Sequence, residues 1–281
     1  MELNNKHIDL SVPRVMTIVN VTPDSFYDGS RSFTEEEIER HVVRAIEEGA
    51  DMLDVGGYSS RPNADDVAVD EEIARVGRAM KVIRRVCPEM VVSIDTFRAE
   101  VVRRIVDEWG ACIVNDISAG ELDPEMITTV ARLGLPYVAM HMRGTPTTMQ
   151  SMTDYSDIVE EVRNYFVQKI SELRAAGIED IVIDPGFGFA KTLEQNYQLM
   201  SGLHRLNDLG APMLVGISRK SMIYKLLGST PAEALNGTTA LHLEALRQGA
   251  KILRVHDTRE AVEVVKIYNQ LNKTTYNNDR V

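Results

Sequence analysis

Short apolar runs and amphipathic stripes alternate along the whole chain. Residues 14–20 (RVMTIVN) read as a strand buried on both faces. After a loop, Thr34 and Glu37 form a capping box, and Ile38, Val42, Ala45 and Ile46 fall on one face of a helix that Gly49 closes. A strand at 51–55 follows, then a helix near 70–87 with Ile73, Val76, Met80, Ile83 and Cys87 at three- and four-residue steps. The same alternation predicts strands at 91–95, 112–115, 136–140, 180–184, 212–217 and 250–255. The accompanying helices are predicted at 98–109, 124–133, 157–176, 192–205, 219–227 with 231–248, and 258–271.

Strands separated by crossover helices of this kind must run parallel. No Pro/Gly/Ser-rich linker divides the series, so one domain is expected over residues 1–281: an α/β fold, an eight-stranded parallel (β/α)8 TIM barrel. Residues 1–12 are expected to cover the barrel bottom, and residues 272–281 to form a frayed tail. A doubly wound open sheet would carry a glycine-rich phosphate turn after an early strand, and none is present. The stretch 184–192 (DPGFGFAKT) is faintly like a phosphate-binding loop, but Pro185 and Ala190 stand where that loop requires glycine.

Composition narrows the function. A length of 281 residues suits one barrel, and 44% hydrophobic with 26% charged residues excludes a disordered polymer. The net charge of -11 argues against a nucleic-acid partner, because gripping a phosphate backbone needs a basic face. Cys87 and Cys112 are too few for a disulfide framework and read as buried free thiols. No apolar run is long enough to span a membrane and the N-terminus lacks a signal-peptide layout, so the expected compartment is a reducing cytoplasm.

Candidate chemistry sits at the strand ends. The strands terminate in Asn20, Gly56-Gly57, Asp95, Asn115-Asp116, His141, Asp184, Ser218 and Arg254-Val255-His256. Each alone could be a helix cap or a satisfied turn residue, but together they would ring the C-terminal mouth, where barrels build active sites. Asp95, Asn115, Asp184 and Lys220 offer acceptors, an amide and one cation, a set suited to a flat heteroaromatic ring with N–H donors. For Asp95, capping the helix near Arg98 is the serious alternative. Arg61, Lys220, Arg254 and His256, with the hydroxyls of Ser59, Ser60 and Ser218, would form a local anion site on an acidic protein. Arg254 lies inside the apolar run ILRVH, where a charge needs a partner. The loop NVTPDSFYDGS at 20–30 is longer than a connector requires and reads as a lid, with a well-packed surface loop as the alternative.

The motifs NVTPDSF at 20–26, GGYSSRP at 56–62, SIDT at 93–96, ND at 115–116, DPGFGF at 184–189, SRKS at 218–221 and RVH at 254–256 resemble, in order, those of the dihydropteroate synthase family. The resemblance runs from about residue 8 to residue 271. It implies a transferase of folate synthesis that joins 4-aminobenzoate to 6-hydroxymethyl-7,8-dihydropterin diphosphate and releases diphosphate. It places Asp95, Asn115, Asp184 and Lys220 around the pterin, with Asp95, Asp184 and Lys220 as the catalytic groups. Asn20 becomes the protein ligand of Mg²⁺ and, with Ser60, Arg61, Arg254 and His256, holds diphosphate. Phe26, Arg61, Pro62, Phe189, Ser218, Arg219 and Lys220 would line the aminobenzoate pocket. The family also implies a homodimer.

The sequence departs from the family's commonest pattern at Tyr58 (often acidic), Ser60 (usually threonine), Asn63 and Ala190 (both usually glycine). Ser60 keeps its hydroxyl and Asn63 tolerates a left-handed turn. A pterin-binding methyltransferase barrel shares the ring-binding carboxylates but needs no diphosphate clamp, so Arg61, Arg254 and His256 favour the synthase. A silent pterin-binding homologue would have lost lid or clamp residues, and here they are intact.

Overall fold

The structure is a computed structural model that describes residues 1–3, 6–22, 34–58, 67–145 and 147–278, the last five by backbone only. Eight parallel strands follow in chain order: β1 (Arg14–Asn20), β2 (Met52–Gly56), β3 (Val91–Asp95), β4 (Ile113–Asp116), β5 (Tyr137–Met140), β6 (Ile181–Asp184), β7 (Leu214–Val215) and β8 (Ile252–Val255). They pair as β6-β5-β4-β3-β2-β1-β8-β7. A parallel bridge between Ile183 and Met213 joins β6 to the approach of β7, with the Ile183 N–H donating to Pro212 O at 3.0 Å. The sheet thus closes into the barrel that the alternating pattern predicts.

The helices are α1 (Glu35–Glu48), α2 (Val69–Val86), α3 (Ala99–Trp109), α4 (Met126–Leu133), α5 (Ile158–Ala175), α6 (Leu193–Ser201), α7 (Ser221–Leu227), α8 (Leu235–Arg247) and α9 (Thr258–Asn278). Thr34 and Glu37 do form a capping box on α1, which ends at Gly49 with φ +97°. Asp157 caps α5 by accepting from the Val159 and Glu160 N–H groups. The α1 stripe buries Ile38, Val42 and Ala45, and α5 buries Ile158, Val162, Phe166, Ile170 and Leu173 against the strands. After α6 the chain tightens into a 3-10 segment, Leu203–Leu209, and another at Pro231–Glu233 precedes α8. The last helix runs to Asn278, past the end of its apolar stripe, since NKTTYNN contains no Gly or Pro to stop it. Cys112 is buried, whereas Cys87 caps α2 and is only half-buried.

The barrel interior is layered. Met16, Met52, Ile113, Val138, Val182, Leu214 and Ile252 make a lower apolar layer, and Leu3 and Ile8 from the N-terminal segment close it from below. That segment carries a small antiparallel pair, Glu2–Leu3 with Lys6–His7. Because side chains alternate along a strand, the residues two steps further on also point inward. They include Asp54, Ser93, Asn115, Asp184 and Arg254, so the interior turns from apolar to polar toward the C-terminal mouth. Strand register then places Asn20 beside Gly56, Gly56 beside Asp95, and Asp95 beside Asn115.

Candidate active site

Three strands converge on one carboxylate. Asp54 on β2 is fully buried, and its Oδ2 accepts from Arg254 Nε on β8 at 2.6 Å and from Asn115 Nδ2 on β4 at 3.1 Å. Arg254 Nη2 donates in turn to Asp95 Oδ2 on β3 at 2.6 Å. The guanidinium is gripped on two edges, and Nη1 has no partner among the described residues. The alternative that Asp95 caps α3 is excluded: the Arg98 N–H donates to Thr96 Oγ1 and the Ala99 N–H to Asp123.

Asp184 ends β6 across the mouth, 6% exposed, and its Oδ1 accepts from the Gly186 N–H at 2.8 Å. Gly186 (φ +70°) and Gly188 (φ +83°) turn the chain sharply back, a path open to glycine. The turn delivers Phe187 O to Lys220 Nζ at 2.5 Å and sets the Phe189 ring 4.8 Å from the same ammonium. Lys220 makes no direct ion pair with Asp184, so both stay open to a ligand. Gly216, on the inner wall between Asp184 and Arg254, would bring a Cβ within 3.8 Å of each. Ser218 Oγ accepts from the His256 N–H at 3.2 Å and lies 3.2 Å from His256 Nδ1, which ties the ends of β7 and β8 together.

These neighbours have relatives of known activity. Residues 16–256 match the family described as pterin binding enzyme. The Escherichia coli K12 dihydropteroate synthase is 43% identical over 92% of this chain and 92% of its own. A Yersinia pestis dihydropteroate synthase solved with a sulfonamide drug superposes with a TM-score of 0.91 at 37% identity, covering 98% of this chain and 99% of that one. A Xanthomonas albilineans dihydropteroate synthase in complex with 7,8-dihydropteroate gives a TM-score of 0.82 at 40% identity, covering 94% and 95%. The chain belongs to the dihydropteroate synthase family.

Within this dihydropteroate synthase fold, burial governs the electrostatics of the mouth. It pushes the Asp95 carboxyl up to about 7, with Arg254 opposing and Asp54 assisting. Burial also raises Asp184, against the pull of Lys220 and the Gly186 N–H. It lowers Lys220 to about 8, with Asp184 opposing. Burial disfavours the Arg254 cation as well, but Asp54 and Asp95 outweigh it and hold arginine above its ordinary value. Charges of both signs are thus held at the same mouth with little water to screen them.

Asp95, Asn115, Asp184, Lys220 and Arg254 therefore gather at one barrel mouth, with Phe189, Ser218 and His256 beside them. Asn20 sits at the rim, where Gly56 leaves space that a Cβ would fill to within 3.2 Å of Asn20 Oδ1. Arg219 is engaged elsewhere: its guanidinium binds Asp257 through Nε and Nη2 at 2.8 and 2.7 Å and donates to Pro231 O and Ala232 O. Phe26, Ser59, Ser60, Arg61 and Pro62, with most of the 20–30 loop, lie outside the described residues. Tyr58 packs its ring against Phe97 at 5.1 Å and under the Arg98 guanidinium at 5.0 Å, so aromatic stacking anchors the base of that second loop.

Two residues escaped the sequence reading. Asp54 lies inside an apolar strand and looks like core; only the cost of burying a charge signals it. Lys191, 5% exposed, donates to His141 Nδ1 at 3.1 Å, Gly186 O at 2.9 Å and Phe189 O at 3.0 Å. Those three acceptors match the three donors of an ammonium and pin the β6 turn from behind. Burial lowers Lys191 to about 7 and, with Lys191 beside it, holds His141 well below the usual imidazole range.

Proposed function

We propose that this mouth condenses 6-hydroxymethyl-7,8-dihydropterin diphosphate with 4-aminobenzoate, giving 7,8-dihydropteroate and diphosphate. The observation that carries the reading is the convergence of three acceptor side chains and two cations on one buried wall. Asp95, Asn115 and Asp184 suit the N–H groups of a pterin, and Lys220 suits a ring acceptor. Arg254 and His256, with Ser60 and Arg61 of the second loop, hold the diphosphate. Phe189, Ser218 and Lys220, joined by Phe26, Arg61, Pro62 and the Arg219 backbone, border the aminobenzoate site.

The bond between the pterin methylene carbon and the diphosphate oxygen breaks, and its electron pair leaves with diphosphate. Positive charge spreads into the ring, where the fixed carboxylates Asp95 and Asp184 stabilise it. The aromatic amine donates its lone pair to the methylene carbon, forms the new C–N bond and releases a proton to solvent. No protein nucleophile takes part. Asn20 would hold a Mg²⁺ ion, which would supply neutralisation of the charge on the leaving diphosphate. The donor set fits that role: Mg²⁺ keeps waters and phosphate oxygens and needs few protein ligands, and Gly56 clears the space beside the Asn20 oxygen. The substrates are small molecules, with no nucleic acid or membrane involved.

A homodimer is supported by the apolar side chains of Leu226 and Leu227 on α7 and Ile267 and Leu271 on α9, all more than half exposed. Free thiols at Cys87 and Cys112 support a cytoplasmic location. The deciding assay mixes purified protein, Mg²⁺, the pterin diphosphate and 4-aminobenzoate. Dihydropteroate and diphosphate should appear in equal amounts; a protein that binds both substrates without forming product would overturn the reading. Light scattering should give twice the chain mass.

A further inference from the structure

We infer that Asp54 is a positioning residue that fixes which way the Asn115 amide faces and so makes the ring pocket select an N–H donor over a carbonyl at that point. The inference rests on the pterin-pocket reading above. Asp54 is fully buried and touches no ligand space, so it acts through its neighbours. A carboxylate in contact with a guanidinium can only accept hydrogen bonds. The Asn115 group 3.1 Å from Asp54 Oδ2 must therefore be the NH₂, and the amide oxygen is turned the other way. That oxygen accepts nothing from the described residues, yet it is not sealed off as Asp54 Oδ1 is. It is left as an acceptor for a ligand N–H.

The same Asp54 oxygen takes Arg254 Nε at 2.6 Å, while Asp95 holds Nη2. Of the guanidinium's donors, the Nη1 pair is thereby left for phosphate oxygens. One carboxylate thus orients a reader of the ring and a holder of the leaving group. Asp54 Oδ1 has no partner among the described residues. Keeping a charged side chain in that state is costly, and the inner-face position two residues earlier on the same strand is filled by Met52 without difficulty. A position that only filled space would take another aliphatic residue.

The test compares two ligands by calorimetry: pterin-6-carboxylate, and lumazine-6-carboxylate, in which a carbonyl replaces the 2-amino group. The wild-type chain should prefer the amino ring. In Asp54→Ala the freed Asn115 amide can turn its NH₂ to the carbonyl, and the preference should shrink by about tenfold, the scale of one misoriented hydrogen bond. Asp54→Asn, which keeps an acceptor oxygen in place, should restore most of the preference. If Asp54→Ala does not fold, Asp54→Leu, closer in size and without an acceptor, carries the same comparison. Equal weakening of both ligands, or no change in either, overturns the inference. Asn115→Ala separates the two failures. Loss of preference there but not in Asp54→Ala defeats the role of Asp54 alone, while preference intact in Asn115→Ala defeats the pocket reading with it.

Discussion

Arg254 Nη2 lies 2.6 Å from Asp95 Oδ2, which joins the cation proposed to hold diphosphate directly to a carboxylate proposed to face the ring. The two halves of the site are therefore one charge network. A substrate that spans both must displace or share this contact. On the proposed assignment, departure of diphosphate would change the field felt by Asp95 as the ring becomes cationic. That coupling follows from strand order, because β8, β1, β2 and β3 are consecutive around the barrel.

Removing the cation should expose the cost of the network. In Arg254→Ala, Asp54 and Asp95 remain buried without their guanidinium. Uncompensated charges of this kind destabilise by about 3–5 kcal/mol. The sign is set by burial, which raises the Asp95 carboxyl in the folded state. Such groups penalise folding as pH climbs above the unfolded value of about 4, and the penalty is complete once pH passes the raised value. The melting-temperature deficit of Arg254→Ala should thus be small near pH 4 and largest above pH 7. A deficit independent of pH would show that the arginine contributes packing alone. The Michaelis constant for the pterin diphosphate should rise in the same variant.

Asp184→Asn keeps the size of the side chain and removes its charge. The Gly186 N–H can still donate to the amide oxygen, so the β6 turn should hold. What disappears is electrostatic stabilisation of the cationic ring. Turnover should drop at least about tenfold, equivalent to about 1.4 kcal/mol of transition-state stabilisation. Near-normal kcat in a variant with unchanged thermal stability would remove Asp184 from the chemistry.

How much of this was legible in the sequence depends on distance along the chain. Parallel strands and period-two alternation put Asp95, Asn115, Asp184 and Lys220 at one mouth, because every crossover returns the chain in the same direction. A partner for Arg254 was demanded by its apolar neighbours, yet Asp54 stands 200 residues away and only strand order brings it there. Lys191 follows the DPGFGFA turn and reads as a solvated charge, since nothing local shows that His141, 50 residues earlier, closes over it. Cys87 lost its predicted burial because α2 ends one residue before it. Arg219 lies within the SRKS motif, but its backbone φ of +55° turns the side chain to Asp257.

Two titrations bracket the working range. In the free chain, Asp95 must be ionised to accept ring N–H groups, and burial raises it to about 7. Lys220 must be protonated to donate, and burial lowers it to about 8. The value of kcat/KM for the pterin substrate, which reports groups of the free enzyme, should rise through about pH 7 and fall through about pH 8. Lys220→Arg should move the falling limb well upward, because a guanidinium does not titrate there. A falling limb unmoved by that substitution would assign it to another group.

The β6 turn offers a pair of opposite substitutions. At Gly186 a Cβ would stand 2.0 Å from His141 O and 3.4 Å from Lys191 Nζ, and φ is +70°. The first neighbour is backbone and cannot rotate aside, so Gly186→Ala must shift the turn that carries Phe187 O and Phe189. Stability should fall by more than the roughly 1 kcal/mol of left-handed strain alone, and Lys220 should lose its fixed position, raising KM for both substrates. Ala190 shows the reverse balance. Its φ is +48°, and its methyl is buried among Ile117, Met140, Met142 and Met149. Ala190→Gly would relieve about 1 kcal/mol of strain while losing about 0.8 kcal/mol of methyl burial. Strain relief and burial loss nearly cancel, so denaturant unfolding should place Ala190→Gly close to wild type and Gly186→Ala well below it. Equal stability of the two variants would mean that the turn is free to move, and that Lys191 and His141 do not hold it.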